Sequence, residues 1–91
     1  MKVDGRRGTM GYVVTVRYFA AARAAAGLTE ERAESETLTD LVARLSAAHG
    51  DGLAKVLGVA SFLVDGVVWH DRDAALPTGA TVDVLPPFAG G

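Results

Sequence analysis

TLTDLVARLSAAHG, residues 37–50, reads as an amphipathic helix with both of its ends marked. Leu38, Leu41, Val42, Leu45 and Ala48 recur at i, i+3, i+4, i+7 and i+10, so they form one apolar stripe on a 3.6-residue helix. Thr37 suits the N-cap. Asp40, three residues on, sits where a capping box and the helix dipole both favour a carboxylate. Gly50 closes the helix. Such a stripe must lie against something, so the fold turns on the segments either side of it.

Upstream, YVVTVRYF (residues 12–19) is rich in β-branched and aromatic residues with partial alternation, which predicts a strand. AAARAAAG (residues 20–27) predicts a short helical turn closed by glycine. The polar segment from Leu28 to Glu36 is too short for anything but a return strand, and an edge strand is expected there. Downstream, Asp51 to Gly58 reads as a looser turn. VASFLV, Asp65-Gly66 and VVWH then predict a hairpin, because a type I′ turn needs positive φ at both central residues. Pro77-Thr78-Gly79 marks another turn. Thr81 to Leu85 is the last strand, with Val82 and Val84 on one face. There is no internal repeat and no linker.

One main helix among about five strands buries its stripe economically in one way, across one face of a single mixed sheet. The expected class is therefore α+β, a β-grasp, with the first and last strands paired in parallel at the sheet centre. The stripe of Leu38, Leu41, Val42 and Leu45 should pack on Val14, Val16, Val82 and Val84. The segment after Leu85 then runs off the end of a central strand.

Ninety-one residues make one domain. Residues 1–10, polar and glycine-rich without periodicity, are expected to be a disordered extension; 11–85 form the domain and 86–91 a flexible tail. An apolar content of 49% suffices for one core. A net charge of -2, with no long run of one sign, argues against a nucleic-acid partner. The absence of cysteine rules out a disulfide framework, a thiolate nucleophile and a thiolate metal site. No apolar run approaches the roughly 18 residues of a membrane span, and no h-region precedes a cleavage site. No membrane partner is expected, and the location expected is cytoplasmic.

Inside the domain the candidates for chemistry are weak. His49 ends the helix, where a positive charge suits the dipole. His70 has no metal-ligand spacing around it, Asp71 and Asp73 read as turn residues, and no metal site is expected. Gly50-Asp51-Gly52 is not a phosphate loop. That leaves LPPFAGG, residues 85–91. Pro86 and Pro87 fix φ and favour a projected, extended chain. Gly90 and Gly91 lack a Cβ and pass through a narrow channel in any conformation. Between them, Phe88 needs a partner pocket to bury its ring. Apolar residues exposed on the sheet beside the final strand, Phe62 among them, are expected to complete a docking patch.

Three stretches, VRYFAAARAAAG (Val16 to Gly27), TLTDLVARL (Thr37 to Leu45) and VDVLPPFAGG (Val82 to Gly91), resemble the MoaD-type small subunit of molybdopterin synthase, a ubiquitin-like sulfur carrier of the ThiS/MoaD family. The likeness covers residues 11–91; the family often has a branched aliphatic residue where this chain has Phe88. The resemblance implies a protein that is not catalytic alone and binds no cofactor. An E1-like, MoeB-type enzyme would use ATP to adenylate the Gly91 carboxylate, and a sulfur donor would replace AMP to give a thiocarboxylate. The tail, Pro86, Pro87, Phe88, Ala89, Gly90 and Gly91, would then enter the large, MoaE-type subunit and pass sulfur to a pterin precursor. A carrier for thiamine or cysteine synthesis would use the same tail chemistry. A modifier conjugated to lysines and a plain β-grasp interaction module also remain open.

Overall fold

The structure, a computed structural model, describes residues 13–87. The order is β1 (Val13–Tyr18), α1 (Ala21–Ala26), β2 (Glu30–Glu34), α2 (Leu38–His49), α3 (Asp51–Val59), β3 (Ser61–Val64), β4 (Val67–Val68) and β5 (Thr81–Leu85). The strands form one sheet in the order β2-β1-β5-β3-β4, with β1 and β5 parallel and the other pairs antiparallel. This is the β-grasp topology expected from the sequence, with β5 in the middle of the sheet. The expected disordered extension, residues 1–10, and the tail residues from Phe88 onward lie outside the described residues.

The register explains which side chains meet. Val16 is opposite Val82, Tyr18 opposite Val84, and Phe62 and Val64 opposite Val84 and Val82. These residues share the face that α2 covers, and with Val14, Leu38, Leu41 and Leu45 they make one core. Val42 is half-buried at its edge, and Ala48 is exposed. Thr37 caps α2 through a bond its side chain accepts from Asp40 N (3.1 Å). The Asp40 carboxylate accepts from Arg44 Nε (2.8 Å) and Ser35 Oγ (2.9 Å), and these bonds hold its pKa below the ordinary carboxylate value. His49 ends α2 with Nε2 at 2.5 Å from Glu31 Oε2, which also accepts from the Tyr18 hydroxyl. Burial, and then the bond to Glu31, push the Tyr18 phenol pKa up. His49 thus ties the helix end to β2, a structural role.

Two expectations are corrected. Asp51 to Gly58 is not a turn but most of α3, which buries Leu53 and Leu57 completely. α3 packs against α1 and α2 and brings both leucines into the core. Phe62 is not an exposed docking residue; it is 3% accessible, inside the core. Its place opposite Val84 puts it on the covered face, while Leu63, opposite Asp83, takes the outer one.

The turns follow the sequence closely. Asp65 and Gly66 have φ of 50° and 84°, as a type I′ hairpin requires. Asp71 and Asp73 stand in a turn in which Asp71 Oδ1 accepts from Asp73 N (3.0 Å). Among the described residues no helix is long and apolar enough to cross a membrane.

Candidate functional site

β5 runs out of the sheet at Leu85 and continues into two exposed prolines, Pro86 and Pro87. Proline has no N–H to donate, so ladder pairing stops there and the chain leaves the sheet. Three distant segments surround this exit. Phe19 comes from the β1–α1 junction, Val56 and Val59 from α3, and Leu85 from β5; with the prolines they line a groove of about 110 Å³. Phe19 is 36% and Val59 65% accessible, two of the four large apolar side chains exposed among the described residues. The groove is an apolar collar around the root of the tail.

The collar is held from beneath by charge. On the outer sheet face Asp83 accepts two bonds from Arg17, from Nε at 2.7 Å and from an Nη at 3.0 Å. This fork geometry fixes the guanidinium in a plane. The Arg17 Cζ then lies 5.8 Å from the Phe19 ring centroid, a cation–π distance that orients the ring at the groove. Phe19 N also donates to Val84 O (3.1 Å) and Phe19 O accepts from Ala22 N (3.1 Å). Ala20, between them, has φ 52° and ψ −125°. That is the first central position of a type II′ turn, where glycine is the usual residue.

Of the residues picked out in the sequence, Pro86 and Pro87 stand at this root and Phe62 does not contribute. Phe88, Ala89, Gly90 and Gly91 lie outside the described residues. Phe19, Val59 and Leu85 were missed. Phe19 had a signal: it follows buried Tyr18 and so falls out of phase with the core face. Among the described residues there is no group of three or more His, Cys, Asp or Glu side chains able to hold a metal ion.

A family model described as the ThiS family matches residues 16–91. The chain belongs to the ThiS family. Solved structures agree with that membership. A protein described as molybdopterin converting factor, subunit 1, from Pyrococcus furiosus is 27% identical at a TM-score of 0.69, over 84% of this chain and 98% of that one. In a complex of subunits 1 and 2 of the molybdopterin-converting factor from Helicobacter pylori, the matching chain is 25% identical at a TM-score of 0.65, over 87% of this chain and 99% of that one. The small archaeal modifier protein 1 of Methanosarcina acetivorans shares the fold, with 23% identity and a TM-score of 0.70 over 87% of this chain and 96% of that one. No curated protein matches the chain. The chain therefore has the ubiquitin-like sulfur-carrier fold of the ThiS family, with the apolar groove at the Pro86–Pro87 exit of its last strand.

Proposed function

We propose that this protein carries sulfur on its C-terminal glycine and serves as the small subunit of a molybdopterin synthase. The Gly91 carboxylate attacks the α-phosphate of ATP on an E1-like enzyme, releasing pyrophosphate and leaving an acyl-adenylate. Hydrosulfide from a sulfur donor then attacks the acyl carbon, the bond to AMP breaks, a proton is lost, and a thiocarboxylate remains. A large partner subunit accepts the tail and transfers the sulfur to a pterin precursor. The observation that carries the reading is the apolar collar at the Pro86–Pro87 root. It gives a partner a place to grip while the residues beyond it reach into a catalytic centre. The carrier itself needs no reactive side chain.

What favours a pterin acceptor over the thiamine or cysteine pathway is the VRYFAAARAAAG stretch, together with the likeness to molybdopterin converting factor subunits. The Helicobacter pylori protein is found in complex with a second subunit, which supports a large-subunit partner here.

The test is to append one alanine after Gly91. The fold should be unaffected. The carboxylate would overshoot the adenylating centre by one residue, roughly 3.5 Å, and displacements near 1 Å already slow catalysis heavily. Incubated with ATP, the activating enzyme and a sulfur source, wild type should gain the oxygen-to-sulfur mass difference and the extended form should not. Equal thiolation of both would refute the proposal.

A further inference from the structure

A second cleft, of about 250 Å³, opens one strand away from the tail root. Its walls include Phe62 of β3, Val68 of β4, and Trp69, His70 and Arg72 from the connection that follows. Ser61, also on its rim, pairs in register with Leu85, the last residue of β5. Ala60 lines both this cleft and the groove at the tail root, so the two adjoin.

Arg72 is the unusual residue here. Its guanidinium sits over the Phe62 ring, with Cζ 5.0 Å from the centroid, and the residue is half-buried. Arg17 and Arg44 are each paired with an aspartate; Arg72, like Arg23 and Arg32, has no carboxylate partner among the described residues, but those two are exposed and Arg72 is not. Its two acidic neighbours are engaged elsewhere. Asp71 Oδ1 accepts from Asp73 N, and Asp73 Oδ1 accepts from Thr39 Oγ1 (2.8 Å). The segment is also pinned along its backbone: Trp69 N donates to Phe62 O (3.0 Å), Thr39 N to Arg72 O (3.0 Å) and Leu76 N to Glu36 O (2.7 Å). The guanidinium is therefore held in place before any ligand arrives, which limits the ordering lost on binding. Trp69 Nε1, an indole donor in the same wall, is buried without an acceptor.

We infer that this cleft receives an aspartate or glutamate side chain of the enzyme that takes the tail, with Arg72 as its counter-charge. The inference rests on the tail reading proposed above. Residues 88–91 span at most roughly 14 Å when extended, so an enzyme that acts on Gly91 must bring its surface within that distance of Pro87. Ser61 on the rim of the cleft, paired with Leu85 two residues before Pro87, lies inside this footprint. A planar, stacked guanidinium suits the planar, bidentate geometry of a carboxylate. Asp71 and Asp73, its neighbours in sequence, lower the local positive potential, which penalises a phosphate dianion, a nucleic-acid backbone or an anionic membrane more than a single carboxylate. Arg72 contributes to docking and takes no part in the chemistry.

The experiment measures the KM and kcat of the adenylating enzyme for this carrier, by ATP–pyrophosphate exchange, at low and high NaCl. Arg72→Glu should raise KM on the order of tenfold or more with kcat nearly unchanged, as losing a well-placed charge pair does. Arg72→Gln should raise it less and flatten its salt dependence, and Arg72→Lys should recover part of the loss. Arg72→Gln removes the charge without reversing it, so it reports even if the charge reversal disturbs folding; thermal melts identify that case. If Arg72→Gln and Arg72→Glu are folded and match wild type in KM, the inference is overturned while the tail reading stands. If a chain lacking Gly90 and Gly91 is adenylated like wild type, the tail reading fails and the inference with it.

Discussion

Ala20 holds a backbone conformation that L-residues rarely adopt, at the junction that presents Phe19 to the groove. A residue forced into such a region stores about 1–3 kcal/mol, while glycine adopts it without strain but loses more conformational entropy on folding. The first term is the larger. Ala20→Gly should therefore stabilise the protein by about 1 kcal/mol, which raises the melting temperature by roughly 4–8 °C in a domain of this size. Calorimetry would check it, and a lower melting temperature would show that the turn is not strained. Nothing in the alanine run marks the first alanine as a turn, because a type II′ turn usually announces itself by glycine. Phe62 was misread for a related reason. In SFLV three apolar residues follow one another, so alternation does not say which of Phe62 and Leu63 points to the core.

At the scale of elements, α2 and the strands β1, β3, β4 and β5 were legible because their signals are local: a 3.6-residue stripe, an Asp-Gly turn, a β-branched run; β2, the polar EERAE, was legible only from its place between β1 and α2. The helix α3 was not. Gly50, Gly52 and Gly58 punctuate the segment, and each glycine inside a helix costs up to about 1 kcal/mol relative to alanine. Yet Leu53, Val56, Leu57 and Ala60 keep the i, i+3, i+4, i+7 spacing, and burial of the two leucines overrides the propensity. Leu57→Ala should cost about 2–5 kcal/mol, the range for a fully buried leucine. Urea denaturation would measure it. A loss below about 0.5 kcal/mol, as at a surface position, would mean that α3 does not hold the core.

For the whole molecule, the tail and its collar belong to different levels of information. The Pro-Pro step was readable because two residues in sequence impose its geometry. The collar was not, because Phe19, Val59 and Leu85 meet only once β1, α3 and β5 are assembled. That difference makes Val59 the cleanest probe of the interface. Its side chain is 65% accessible, at the last residue of α3, so Val59→Ser removes apolar surface from the groove without opening the core. Such surface changes usually shift stability by no more than about 0.5 kcal/mol. If the collar seats the enzymes that handle the tail, the affinity for each of them should fall about three- to tenfold, the loss of one apolar contact near an interface centre. Phe19→Ala should weaken binding further, since an aromatic anchor and its contact with Arg17 are lost together. Calorimetric titration against the activating enzyme and against the large subunit supplies the measurement, with thermal melts run in parallel. Should both affinities survive Val59→Ser and Phe19→Ala, the tail would be gripped without the collar. The docking surface would then have to be sought on the outer sheet face around Arg17 and Asp83.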